Sequence, residues 1–360
     1  MSSTDTEPRP IPAGELRTFC AAVFAATGVP PDQAAAIAAN LVDADLRGVE
    51  SHGVVRLPIY ARRLAARATN PTPTIRTVRE TRTTAVLDGD NGMGQWVSIK
   101  AVELALAKAK DGECAFVTVR NSNHFGAAAP YASMGAEAGM IGIATTIGGI
   151  NHMAPWGGAE AMLGNNPFAV AFPAGHAAPS IVLDMACSVA ARGKIIVAAK
   201  EGRPIPPDWA VGPDGQPTTD PVQALAGFVQ PIAGAKGYAL TLAIGLLSTM
   251  LSGAAFGTEI THMYDDLERP QNTGHLFGLL PVESFLPLDE FRARIDRASR
   301  DVTGVRPAAG VERVYLPGER EQLWRREREA AGVPVGPGVR AELVALGREL
   351  GVDAAALDPT

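Results

Sequence analysis

The sequence predicts an α+β protein of two or three lobes, helical at both ends and built on strands and helices in the middle. Three observations carry this. At 360 residues, with 46% hydrophobic and 19% charged content, the chain exceeds what one core organises. Apolar residues recur at helical spacing in 15–67 and again in 288–300 and 319–350. Between 87 and 172 the pattern alternates between strand and helix.

In residues 15–67, Leu16, Phe19, Val23 and Phe24, then Ile37, Leu41 and Leu46, mark two helix faces separated by Pro30-Pro31-Asp32. Asn70-Pro71-Thr72-Pro73-Thr74 reads as a linker, and 75–87 as one half-exposed strand. Helices are expected over 97–110 and 127–138, and strands over 115–119, 141–146, 169–172 and 180–183. Residues 188–200 favour a helix, and 204–221, rich in Pro, Gly and Asp, a loop. The apolar run 238–256 approaches the roughly 20 residues a bilayer requires. It carries Gly245 and Gly253 and no anchoring belt, so it reads as a helix buried on several sides. The helical tail is expected to pack on the first lobe, dividing the chain into 1–74, 75–285 and 286–360.

The net charge of −6 provides no clustered cationic field, which excludes nucleic acid and anionic membrane as partners. Cys20, Cys114 and Cys187 are odd in number and lack CxxC spacing. That argues against a disulfide framework and for a reducing compartment, so a cytoplasmic location is expected. Residues 1–8 lack the basic start and apolar core of a signal peptide and are expected to fray.

No GxGxxG follows a strand, and no P-loop occurs. A bound nucleotide would therefore not rest on a Rossmann turn. Instead, Pro155-Trp156-Gly157-Gly158, Gly164-Asn165-Asn166-Pro167, Lys236-Gly237 and Pro317-Gly318-Glu319 form separate turns. Each either lets backbone N–H groups face a phosphate or ribose, or simply joins strands.

His52, Arg56 and Tyr60 recur every four residues and would share a helix face, unless Pro58 delays the helix to Leu57 and leaves 51–56 in the preceding turn. Either way they suit a small anion: Arg56 can grip a carboxylate and His52 can exchange a proton. Alternatively, His52 caps the helix and Arg56 pairs with Asp43, Asp45 or Glu50. His124 follows a strand, where sites are common, and His152 is a second candidate. His262 and His275 look peripheral, and no histidine or cysteine spacing suits a metal.

Together these runs resemble the type-2 malate/L-lactate dehydrogenase family, a non-Rossmann group. The resemblance begins at Ala44-Asp45-Leu46-Arg47-Gly48-Val49-Glu50-Ser51-His52-Gly53. It continues through Asn123-His124-Phe125-Gly126, Ala154-Pro155-Trp156-Gly157-Gly158, Ile181-Val182-Leu183-Asp184-Met185-Ala186, Lys236-Gly237-Tyr238 and Leu316-Pro317-Gly318-Glu319. It implies a helical lobe from both termini, a cofactor lobe on a largely antiparallel mixed sheet, and a homodimer. It also implies hydride transfer between NAD or NADP and a small 2-oxo or 2-hydroxy acid, or reduction of a cyclic imine. By this resemblance His52 is the proton donor, Arg56 holds the carboxylate, and Ser51 and Tyr60 complete the substrate site. His124 lies beside the nicotinamide. Gly148, Pro155, Gly157, Asn166, Ile181, Asp184, Met185, Ala186, Ala235, Lys236, Gly318, Glu319 and Arg320 bind the cofactor.

Some positions depart from the family pattern. Residues 145–152 lack the usual Thr-Asn pair, Cys187 replaces a threonine, and Arg192 stands where tryptophan is frequent. Arg192 either favours a 2′-phosphate or is an ordinary exposed arginine. Trp209-Ala210, Pro217-Thr218-Thr219-Asp220-Pro221 and Met263-Tyr264-Asp265-Asp266-Leu267 lean toward the ureidoglycolate branch. Two other classes stay open: a catalytically silent nucleotide binder, and a carbon–nitrogen lyase that needs no nicotinamide.

Overall fold

The computed structural model describes residues 9–357, so the expected fraying of 1–8 lies outside the described residues. The N-terminal helices are α1 (Ala13–Ala26), α2 (Pro31–Leu46) and α3 (Leu57–Ala65). Pro31 opens α2 at a position where its missing N–H costs nothing, and Gly28 at φ +94° turns the chain out of α1.

A hairpin of β1 (Arg76–Glu80) and β2 (Thr84–Asp88) follows, then α4 (Gly94–Ala109), β3 (Ala115–Ser122), α5 (Ala129–Glu137) and β4 (Met140–Thr146). Residues 75–87 are thus two strands, not one. The turn between them has no Gly or Pro to betray it and is closed by Thr84 N–H donating to Thr81 Oγ1. Next come β5 (Phe168–Phe172), β6 (Ile181–Met185), α6 (Arg192–Lys200), β7 (Ala210–Val211), α7 (Pro221–Ala226) and β8 (Phe228–Val229). Helix α6 begins four residues later than expected because Ser188 is held in a bridge to Pro231. The loop expected over 204–221 contains β7, which pairs with β8 over a small satellite core around Ile195 and Val229.

The chain closes with α8 (Ala235–Thr249), β9 (Thr273–Pro281), α9 (Leu288–Thr303), α10 (Glu319–Ala331) and α11 (Pro337–Leu350). The main sheet has the order β1-β2-β3-β9-β4-β5-β6, antiparallel throughout except for β2 against β3. Side chains alternate across it: Ala144 joins the core under α4 and α5, while Thr145 Oγ1 on the other face bonds Ser248 Oγ of α8 at 2.8 Å.

Helices from both termini share one core, in which Val333, Leu343 and Leu346 pack with Phe19, Phe24 and Leu41. Buried Arg340 ties the ends by donating to the carbonyls of Arg9 and Leu357. Helix α9 departs from the expected packing on the first lobe. It follows β9 through a short turn too closely to leave the sheet, and Asp296 accepts the N–H groups of His176, Ala177 and Ala178. Helix α8 also departs from expectation: it is buried on one side only, with Leu240 and Leu247 exposed on the other. Among the described residues no helix is long and apolar enough to cross a membrane.

Candidate active site

Pro58 sets the start of α3 at Leu57, so Ser51, His52 and Arg56 lie in two 3₁₀ turns, 50–52 and 54–56. Asp45 pins these turns by accepting the Val54 N–H at 2.8 Å, and burial pushes its pKa up to about 7. Gly53 is required there, because a Cβ would lie 2.0 Å from Asp45 Oδ1. Ser51 Oγ meets His52 Nδ1 at 2.9 Å, and Arg56 Nε donates to the Ser51 carbonyl at 2.6 Å. The alternative pairings do not occur: α3 has no side-chain cap, Asp43 bonds Arg47, and Glu50 bonds Arg328. Among the described residues Arg56 has no carboxylate partner.

His124 arrives from the sheet lobe on the loop after β3. Asn123 anchors that loop by donating to the carbonyls of Asn91 and Gly92, and Gly94 lets α4 start against its backbone, since a Cβ there would lie 2.1 Å from the Asn123 carbonyl. The two imidazoles stack at 5.6 Å between ring centroids. The Tyr60 hydroxyl bonds His124 Nδ1 at 2.6 Å, and the Gly126 N–H also points to Nδ1. Nδ1 is therefore an acceptor, and the proton of a neutral His124 rests on Nε2. Burial first, then the charges of His52 and Arg56, drive the His124 pKa well down. Burial and then Arg56 lower His52 to about 4. Both rings are neutral at pH 7.

These residues form one end of an interlobe cleft of about 690 Å³, whose wall also carries Gly148, Asp184, Met185, Ala186 and Gly318. That volume is within the roughly 300–1,000 Å³ of small-molecule sites. The walls fit an extended nucleotide. At Gly126 and Gly148 a Cβ would lie 2.9 Å from Asn40 Oδ1 and from Gly164 Cα, so close packing admits only glycine at these two points of the wall. Asp184 accepts the Ala128 and Ala129 N–H groups through Oδ2 alone, leaving Oδ1 for a ribose hydroxyl. Burial raises its pKa to about 6 against those two bonds, so it is charged at pH 7.

Other expected site residues stand outside the cleft lining. Tyr60 lies behind His124 and supports it. Asn166 is buried, and its side chain shapes the loop by bonding Gly148 N–H and the Thr241 carbonyl. Pro155 and Gly157 lie in a neighbouring surface turn and Ala235 and Lys236 open α8, where Trp156 covers Gly234. Glu319 caps its own turn at Leu316 N–H, Arg320 stacks on Trp324, and Ile181 is half-buried at the start of β6. Cys187 is buried, with Sγ against the Asn166 carbonyl.

Several lining residues were not read as site residues from sequence: His262, Tyr264, Asp265 and Glu321 all face the cleft. Buried Arg63 brings the 262–265 segment there by donating to the carbonyls of Asp266 and Arg269, a link no local pattern reveals. His275, whose polar surroundings in sequence suggest a peripheral place, is fully buried between Thr146 Oγ1 and Ser122 Oγ. Among the described residues no cluster of three His, Cys, Asp or Glu could hold a metal ion.

Residues 11–344 match the family model described as malate/L-lactate dehydrogenase. The chain is 38% identical to malate dehydrogenase of Pyrococcus horikoshii, over 95% of this chain and 96% of that one. It is 41% identical to L-sulfolactate dehydrogenase of Methanocaldococcus jannaschii, over 91% and 93% of the two chains. Ureidoglycolate dehydrogenase (NAD(+)) of Escherichia coli matches at 35%, over 86% and 87%, no higher than the other two. The solved malate dehydrogenase structure from P. horikoshii superposes with a TM-score of 0.88 at 36% identity, covering 98% of this chain and 99% of that one.

Proposed function

The chain belongs to the malate/L-lactate dehydrogenase family, and on that footing we propose that its interlobe cleft interconverts a small 2-oxo acid and its 2-hydroxy acid with His52 as proton carrier. It is a nicotinamide-dependent 2-hydroxyacid dehydrogenase, like the malate and sulfolactate enzymes it matches. The observation that carries the site assignment is Arg56, a cleft-lining guanidinium beside two imidazoles that has no carboxylate of its own among the described residues.

Arg56 grips the substrate carboxylate through paired hydrogen bonds, which brings the C2 carbonyl toward the imidazoles. A bound reduced nicotinamide supplies the hydride that C2 accepts. His124, its proton held on Nε2 by Tyr60, donates a fixed hydrogen bond to the carbonyl oxygen as negative charge grows there. His52 gives that oxygen its proton in reduction and takes it back in oxidation. Two causes keep His52 uncharged without an acid bound, burial and the charge of Arg56. A carboxylate on Arg56 offsets the second, so acid binding itself raises the His52 pKa and favours its protonation. Exposed Ser51, bonded to Nδ1, links the ring to solvent for reloading.

Gly148, Asp184, Met185, Ala186 and Gly318 would hold the nucleotide. Charged Asp184 favours a ribose hydroxyl over a 2′-phosphate, so NAD is the proposed cofactor. The exposed apolar stripe formed by Leu240 and Leu247 on α8 and Leu251 in the turn after it supports a homodimer, which sedimentation would detect.

The test is a screen of NADH and NADPH consumption with pyruvate, oxaloacetate, oxalurate, sulfopyruvate and a cyclic imine. The reading expects NADH consumption with at least one 2-oxo acid. Turnover of the imine alone, or of no compound, contradicts it.

A further inference from the structure

The cleft carries a second group of nitrogen donors that hydride transfer leaves unused. His152, Arg192 and His262 all line it, from three separate segments. His152 is clamped through its backbone, its N–H on the Leu163 carbonyl and its own carbonyl on the Val229 N–H, both at 2.9 Å. The side chain is nine-tenths buried, and its Nδ1 is sealed from solvent with no hydrogen-bond partner among the described residues. A sealed, unpartnered nitrogen is tolerated better as a bare acceptor than as an N–H, so the proton rests on Nε2, the nitrogen left for the cleft. Burial and the nearby charges of Arg192 and His262 hold this ring neutral, with a pKa of about 4. Arg192 begins α6 and bonds the Leu225 carbonyl through Nη2 at 3.0 Å; among the described residues its other N–H groups have no acceptor. The acid in this group is Asp265, and it is bonded to His262 Nδ1 at 3.0 Å.

The group lies on the substrate side of the cleft. The Arg56 guanidinium is 5.8 Å from the Tyr264 ring, which is 6.0 Å from the His262 ring. We propose that Arg192 and His152 form a second anion subsite, which takes the distal carboxylate or sulfonate of a 2-oxo acid whose first carboxylate is on Arg56. The inference rests on the hydroxyacid-dehydrogenase reading and deepens it: the two residues select doubly charged acids over singly charged ones of similar size.

The test is calorimetric binding of malate and of lactate to the protein saturated with NADH, a complex in which neither acid can react. Arg192→Gln should weaken malate by roughly tenfold to a hundredfold, the worth of a charged hydrogen bond, and leave lactate within about twofold. Arg192→Lys should restore part of the loss, and His152→Ala should weaken malate selectively in the same direction. Equal losses for both acids, or none, overturn the subsite. Weakened NADH or NADPH binding with malate unaffected also overturns it, because the anion would then be a nucleotide phosphate. Selective malate binding without hydride transfer to any 2-oxo acid would instead defeat the dehydrogenase reading and leave the subsite standing.

Discussion

The Tyr60 hydroxyl of the helical lobe lies 2.6 Å from Nδ1 of His124 in the sheet lobe, so one hydrogen bond joins the two halves of the cleft and sets a tautomer. Burial pushes the Tyr60 pKa up to about 12, which keeps the hydroxyl protonated as the donor.

Tyr60→Phe removes that donor and leaves His124 Nδ1 with only the Gly126 N–H at 3.4 Å. The expected result is a fall in kcat of roughly threefold to tenfold, the worth of one hydrogen bond, with nucleotide affinity unchanged. Steady-state kinetics alongside nucleotide titration checks it, and an unaltered kcat would show that the tautomer does not matter.

Gly53→Ala forces a Cβ to within 2.0 Å of Asp45 Oδ1, in a pocket where the carboxylate also holds Val54. Overpacking of this kind costs about 1–3 kcal/mol. Urea unfolding should register that loss, and kcat/KM should fall with it because His52 is displaced. A variant of full stability and activity would show that the turn is not held by this contact.

The pH profile follows from His52. Its pKa is lowered to about 4 by burial and by Arg56, so the charged form is lost as pH rises through that value. Oxidation needs the neutral ring as acceptor, so His52 itself should impose no fall in kcat/KM for the hydroxy acid over roughly pH 5–8 and limit it only in more acid solution. Reduction needs the charged ring, so its kcat/KM should decline steadily over the same range. An inflection near an ordinary histidine pKa of about 6.5 in the oxidation profile that persists in Asp45→Asn and in Asp184→Asn, whose own carboxyls are raised to about 7 and about 6, contradicts the assignment.

Much of this was legible in the chain. Helical periodicity placed the terminal helices, and proline chemistry at Pro58 indicated why 51–56 forms turns before α3. Local patterns failed where distant partners decide the outcome. His262 enters the cleft where Arg63, far away in sequence, holds the following loop. His275 looked peripheral because its neighbours are polar, yet Thr146 and Ser122 satisfy both ring nitrogens inside the core. Helix α8 buries its small and hydroxyl residues Gly237, Thr241, Gly245 and Ser248 and leaves Leu240 and Leu247 bare, the reverse of what an amphipathic pattern leads one to expect.

The most direct test of the central claim is His52→Ala, with hydride transfer and nucleotide binding measured on the same preparation. The expected result is a loss of roughly a hundredfold to ten-thousandfold in kcat with NADH affinity unchanged. A variant that turns over at the wild-type rate would show that another group carries the proton.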